Sequence, residues 1–398
     1  MNFQFSKAQF LADPKSTYVV LIGVLEWKDD LSPFDKRNRK DFEFEQYLLS
    51  RGVPKNQIFS FFDSKATLSN ISNALDNISK LAKKDIIFYY AGHGLNEKEG
   101  IYFANYDIDL KNVKNSGFDI KMLSEKLEKT ESKNIWLLAD CCYSGALLKE
   151  CRKLGKAGKN VIALSSATAS NTSTGNWTYT QTLLDCLNGN PLADLNSDGK
   201  IDLSELKKEI RFAMKFRERQ LNGSGQVGVE ESMVFSIVKG ESNIKNPKLG
   251  ECAWGKYENS WKPIRIKGNN GDKFICEFYF YSDKVLKTLS TTEIKPMHFI
   301  KFDENSEVEV EWEGKWYAAV IKKVSGDFCF VSYKNYDSSF DEWVLYERIR
   351  TGKEKKVEVK DGPKFYKAYI LEEKNGKYYI RYEGWDNSWD EWIASDRI

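Results

Sequence analysis

Histidine is almost missing from this chain. Only His93 and His298 occur in 398 residues, so any chemistry that needs an imidazole must use one of the two. Long apolar runs are missing too. No stretch approaches the roughly eighteen apolar residues that a membrane-spanning helix needs, so none is expected. The opening residues MNFQFSKAQFLADPKST have no basic segment followed by an apolar one, which argues against a secretory leader. Charge of one sign is not in excess. The net charge is +2, which gives the whole chain no field for a polyanion. The seven cysteines are an odd number without framework spacing, and neighbouring Cys141 and Cys142 cannot easily bridge each other. A disulfide-built scaffold is thereby excluded, and a reducing, cytoplasmic setting is expected.

The composition is that of an ordinary globular protein, and the length suggests two to four domains. Residues 1–240 read as alternating strands and helices. Apolar runs predict strands at Tyr18–Val24, Ile58–Phe62, Asp85–Tyr90, Asn134–Leu138, Asn160–Ser165 and Met233–Val238. Helical patterns lie between them at Lys40–Arg51, at Leu68–Leu81 after a Thr67 cap, and at Lys121–Lys129. Uniformly apolar strands in this order predict an α/β domain, a mainly parallel sheet flanked by helices. The polar stretch 241–250 reads as a linker.

Beyond it, tryptophan, tyrosine and short strands dominate, with an internal repeat. Tyr333, Tyr336, Phe340 and Trp343 return as Tyr382, Trp385, Trp389 and Trp392, 49 residues on. A weaker copy precedes both: Trp261 matches Trp316, Phe278 matches Tyr333, and Tyr281 matches Tyr336. There Val285 and Thr288 replace the last two aromatics. Three small all-β units follow from this, at 250–296, 303–350 and 353–398.

Two polar clusters close apolar strands in the first domain. Tyr89-Tyr90-Ala91-Gly92-His93-Gly94 follows one, and Leu137-Leu138-Ala139-Asp140-Cys141-Cys142-Tyr143-Ser144-Gly145 follows another. Groups beyond the carboxyl ends of such strands can face one another. A thiol needs a base in reach to become a nucleophile, and His93 is the one histidine here. The backbone N–H groups of Gly94 and Cys142 are natural donors to an oxyanion.

These motifs, 49 residues apart, resemble the caspase and metacaspase clan, over about residues 15–240. The resemblance implies a cysteine endopeptidase with Cys142 as nucleophile, His93 as base, and protein or peptide substrates. Its Asp-x-Cys spacing picks Cys142 over Cys141. Tyr143 departs from the family, where histidine is usual. The acid Asp140 is what metacaspases carry, and Asp41 looks like their second pocket acid, which implies cleavage after Arg or Lys. Asp41 is equally readable as a helix N-terminal charge. The segment Lys149–Lys159 reads as a basic, glycine-containing loop, either a self-cleavage site or a solvated linker. An inert scaffold that keeps the motif is the rival reading.

Residues 194–205 fit the EF-hand loop. Asp194, Asn196, Asp198 and Asp202 supply oxygens, Lys200 its carbonyl, and Glu205 a bidentate carboxylate, with Gly199 at the turn. Calcium is therefore expected. The helix Leu203–Gln220 follows, and no partner hand exists.

The aromatic repeats resemble Tudor-knot, chromo-barrel and Tudor-like domains. Their rings, Tyr333, Tyr336, Phe340 and Trp343 with Tyr382, Trp385, Trp389 and Trp392, suit either a cage for a methylated ammonium or a barrel core. A protein partner, whether substrate or regulator, is expected of them. Asp341-Glu342 and Asp390-Glu391 disfavour nucleic acid.

Overall fold

The computed structural model describes residues 10–28, 31–171, 173, 175–196, 198–239, 252–279 and 284–398. The expected linker and Tyr281 lie outside these. Two units are resolved, 1–243 and 244–398.

In the first unit, strands β1 (Thr17–Gly23), β2 (Ile58–Phe62), β3 (Asp85–Ala91), β4 (Asn134–Asp140), β5 (Asn160–Ser165) and β6 (Gly223–Val227) form one sheet. Their order is β6-β5-β4-β3-β1-β2. All pairings are parallel except β5 with β6. Side chains alternate faces along each strand. Val19 and Leu21 of β1 meet helices α1 (Lys40–Ser50), α5 (Thr178–Leu187) and α6 (Leu203–Glu218). Val20 and Ile22 meet α2 (Leu68–Leu81), α3 (Ile120–Leu127) and α4 (Leu147–Lys156) on the other face. Two buried faces explain why the strands are apolar throughout.

Two expectations need correction. Met233–Val238 contains a strand, Val234–Ile237, but it pairs with Lys200–Asp202 outside the main sheet. The sixth sheet strand is the glycine-containing GSGQV of β6, which has no apolar signal. Lys149–Lys159 is not a loop. It lies mostly in α4, where Leu147, Cys151 and Leu154 share the buried face at helical spacing. Lys159 then buries its ammonium on the carbonyls of Thr130 and Ser132. A protease needs an extended segment, so this helix is no ready site for self-cleavage.

The second unit holds three small antiparallel sheets, over Cys252–Pro296, Glu307–Arg350 and Lys355–Ala394. Each contains one long strand whose pairing shifts register near its middle, at Ile266/Gly268, Ile321/Lys323 and Ile370/Glu372. Such a bulge bends the strand so that both halves serve one barrel wall. The shared bulge identifies the first barrel as the same design despite its weaker sequence match.

Candidate active site

Strands β3 and β4 run parallel in register, with Ala91 opposite Asp140. His93 and Cys142 each stand two residues past that pair, on neighbouring loop tips. The loops touch: a Cβ on Gly94 would lie 1.9 Å from the Cys142 carbonyl oxygen, so only glycine fits there. Gly145 is held as closely, against the backbone of Thr168 and Ala169. Tyr143 takes a left-handed conformation, φ 56°, immediately after the thiol residue. Such strain gathers at functional turns.

The imidazole of His93 is fixed from three sides. Its Nε2 lies 2.9 Å from the carbonyl of Ser32. A carbonyl only accepts, so Nε2 carries the proton and the neutral ring keeps its lone pair on Nδ1. The rings of Phe34 and Trp27 pack against it at 4.4 and 4.6 Å. Burial pushes its pKa down, against the Ser32 bond. Ser32, Trp27 and Phe34 were not legible in the sequence, because their loop has no periodicity.

Burial also pushes the Cys142 thiol up, opposed by the N–H groups of Ser173, Gly94 and Cys142 itself. The Ser173 N–H donates to Sγ at 3.1 Å. Both shifts favour a neutral thiol beside a neutral imidazole at rest. Cys141 is 2% exposed and burial raises its thiol well above the ordinary range, which disfavours it as a nucleophile.

Next to Cys142 opens a cleft with Leu25, Phe34 and Trp177 on its walls and Asp140 among its lining groups. Asp140 accepts from the N–H and hydroxyl of Thr180, at 3.2 and 2.6 Å. Burial raises its pKa to about 6. Asp41 is elsewhere. It is fully buried at the start of α1, and Arg39 grips its two oxygens at 3.1 and 2.6 Å. Arg39 also bonds Asp63 and the carbonyl of Gly23. Burial raises the Asp41 carboxyl and the guanidinium opposes it. Arg39 thus already pairs the carboxylate expected as the second pocket acid. Arg39→Met is expected to cost about 3–5 kcal/mol in urea unfolding, since it strands the buried Asp41 carboxylate, while Asp63 keeps Lys36 and the Leu25 N–H. A loss below about 1 kcal/mol would refute this ion-pair account.

The 194–205 loop is wound by its own carboxylates. Asp194 accepts from Asp198 and Gly199 N–H groups, and Gly199 has φ +81°. Asp202 and Glu205 form a capping box that starts α6. The donors are all oxygen, as a hard cation requires, so the residue types fit calcium. Yet Glu205 Oε1 is held by the N–H groups of Leu195 and Asn196, at 2.8 and 3.1 Å. Among the described residues no three acidic, histidine or cysteine groups converge closely enough to hold an ion. In place of a partner hand, Lys200–Asp202 pairs with Val234–Ile237.

The repeats build two ring clusters. Tyr317, Tyr333, Tyr336 and Phe340 meet in the second barrel. Tyr366, Tyr382, Trp385 and Trp389 meet in the third. Trp343 and Trp392 do not join them. One packs on Phe330, the other on Tyr379 and His298. Strand alternation explains this: Glu342 and Glu391 bond the cluster tyrosines, so the next residue points to the opposite face. Their places are taken by Tyr317 and Tyr366, from the long strands.

Comparison with known proteins agrees with this organisation. A family model described as the caspase domain matches residues 41–236. An Agenet domain model matches 305–351, and the Tudor-knot model, described as an RNA binding activity-knot of a chromodomain, matches 352–398. No curated protein matches the chain. Among solved structures, protein GSU0716 from Geobacter sulfurreducens aligns at 10% identity over 56% of this chain and 99% of its own, with a TM-score of 0.39. The AGD34 structure of AGDP1 from Arabidopsis thaliana aligns at 12% identity over 26% of this chain and 80% of its own, with a TM-score of 0.14. No helix among the described residues is long and apolar enough to cross a membrane.

Proposed function

We propose, for a chain that carries a caspase domain at residues 41–236 followed by Agenet and Tudor-knot domains, the activity of an endopeptidase that cleaves after Arg or Lys. Cys142 is the nucleophile in this reading and His93 the base. The observation that carries it is the tautomer lock: Ser32 holds the Nε2 proton, which leaves Nδ1 ready to take the proton of the thiol. Sulfur then attacks the scissile carbonyl, and the developing oxyanion is received by the N–H groups of Gly94 and Cys142. The imidazolium returns its proton to the leaving amine. Water hydrolyses the thioester, with His93 again as base.

The cleft supports the choice of basic substrates. Apolar walls from Leu25, Phe34 and Trp177 suit an aliphatic stem, and Asp140 suits the cation at its end. Fluorogenic peptides that differ only in Arg, Lys or Asp before the scissile bond test it. Turnover of the Arg or Lys peptide at least about 100-fold faster is expected from one desolvated charge pair. Preference for Asp would overturn the specificity, and no turnover of any peptide by the intact chain would favour the inert scaffold.

Calcium is the cation proposed for the 194–205 loop. Asp194, Asn196, Asp198, Asp202, Glu205 and the Lys200 carbonyl would hold it, and it would stiffen the turn between α5 and α6. Binding through both oxygens competes with three N–H partners of Glu205, those of Leu195, Asn196 and Asp202, which weakens affinity. At saturating calcium the first unfolding transition should rise by roughly 5 °C, the shift that about 2–3 kcal/mol of linkage gives a domain of this size. Glu205→Gln should remove the rise. A shift unchanged in that variant would place the ion elsewhere.

The barrels are proposed to recruit a protein, as substrate or regulator. Glu342 and Glu391 reach the ring clusters by accepting from Tyr333 and Tyr382 and put carboxylates there, so nucleic acid is not the partner we assign.

A further inference from the structure

One stretch of chain serves both the cleft and the base. Between β1 and α1, Leu25 and Phe34 form cleft walls, Phe34 and Trp27 pack on the His93 ring, and the Ser32 carbonyl receives the Nε2 proton. None of the described residues from Val24 to Arg39 belongs to a helix or strand, and Ser32 is exposed. A carbonyl on such a segment fixes a proton only as firmly as the segment is itself held.

The near end is fastened to a neighbouring loop. Trp27 Nε1 donates to the Ala104 carbonyl at 3.0 Å, and the Lys28 N–H donates to the Tyr106 carbonyl at 3.0 Å. The far end depends on Asp63. Parallel register sets Gly23 opposite Phe62, so Asp63, the next residue after β2, stands beside the exit of β1. Its Oδ1 accepts from the Leu25 N–H at 2.9 Å. Its Oδ2 accepts from Arg39 at 2.6 Å and pairs with Lys36 at 3.2 Å. The Leu25 carbonyl accepts in turn from the Phe34 N–H at 2.9 Å. One carboxylate thus ties the beginning of the segment to its end, with Ser32 and Phe34 between. Burial pushes the Asp63 carboxyl up, but the Leu25 N–H, Arg39 and Lys36 outweigh it and hold it below its ordinary value. Asp63 also takes a left-handed backbone, φ 48°, which persists only where the surroundings enforce it.

We propose that Asp63 is a positioning residue: through Leu25 and Phe34 it holds Ser32 on the His93 ring, and so sets which nitrogen of the base carries the proton. The proposal rests on the reading of His93 as the base. Losing the Asp63 carboxylate costs rate through the ring, and not through the charge of the substrate, which Asp140 meets.

The test uses the full chain with histidine labelled by nitrogen-15 in the imidazole. The sequence has two histidines, so His298→Gln identifies the His93 signals. At about pH 7.5, where a neutral ring is expected, the parent should show the Nε2–H form. Asp63→Ala should turn this into a mixture of both tautomers and lower kcat at least about tenfold, part of the loss that a wrong imidazole tautomer brings. Arg and norleucine peptides should slow alike, because Asp140 is untouched. Asp63→Asn suits the left-handed backbone and keeps an acceptor for Leu25, but drops the charge that Arg39 and Lys36 grip. It should lose about threefold in kcat and show less of the second tautomer than the alanine variant. The asparagine variant carries the test if the alanine variant does not fold. A substitution that merely destabilised the chain would leave the tautomer of its folded fraction unchanged. A tautomer unchanged in every folded variant, or already mixed in the parent, would overturn the proposal. A parent that cleaves no peptide, with tautomers that still mix in Asp63→Ala, would overturn the protease reading and leave the positioning of the ring supported.

Discussion

Cys142→Ala is expected to lower kcat for an Arg peptide by about 10⁴-fold or more, the usual loss when a nucleophile is removed. Its thermal stability should hardly change, because the thiol is only half-buried and its partners are backbone groups. The adjacent cysteine provides the control. Cys141→Ala should leave the rate within about threefold while costing about 1–2 kcal/mol of stability, as a small buried truncation does. The reason lies in the strand. Residues alternate sides at the end of β4, so one sulfur enters the core with Val20, Ile22 and Tyr90, and the other faces the cleft. Stoichiometric alkylation with iodoacetamide should label Cys142 and spare Cys141. Rates that fall for the Cys141 variant and survive in the Cys142 variant would dissolve the assignment.

The frame of the candidate site is legible in the sequence because it is periodic. Apolar β3 and β4 end in glycine-bounded clusters, and parallel register brings equivalent ends together. The sequence shows less where position comes from irregular backbone. Ser32 acts through its carbonyl, which any residue has, so no side chain could announce it. Trp27 and Phe34 reach His93 across a loop without repeat. The strand β6 is legible only as the partner that β5 needs, since Gly223 and Gly225 give it no apolar stripe. Helix α4 is legible in the spacing of Leu147, Cys151 and Leu154, but Lys149, Arg152, Lys153 and Lys156 give the same segment the charge of a solvated loop. In the barrels, strand alternation decides which rings can meet. A run of aromatics counted along the chain therefore overstates the cluster by Trp343 and Trp392 and omits Tyr317 and Tyr366.

Asp140→Asn separates specificity from catalysis. With Asp41 held by Arg39, the proposed specificity makes the basic end of a substrate depend on Asp140. Its loss should reduce kcat/KM for an Arg peptide by about 100-fold or more, the effect of removing one member of a desolvated charge pair. The matching peptide with norleucine should be unaffected. Acid should act in the same direction. Burial raises the Asp140 pKa from 3.8 to about 6, so the carboxylate needed for Arg appears only as pH climbs through that value. His93 also titrates, but it serves both peptides equally. The Arg-to-norleucine ratio therefore isolates Asp140, and should rise between about pH 5 and 7 in the parent and stay flat in the variant. Stability should move oppositely. A carboxyl whose folded pKa lies above its unfolded one stabilises the fold fully below pH 3.8 and loses that contribution as pH passes about 6. At neutral pH the buried charge costs up to about 3 kcal/mol. The amide of the variant carries no such charge, and its oxygen can still accept from Thr180. The variant should thus melt higher than the parent at about pH 7.5, with the gap closing toward about pH 4. A ratio independent of pH, together with undiminished cleavage after Arg by the variant, would remove Asp140 from the pocket and with it the case for basic substrates.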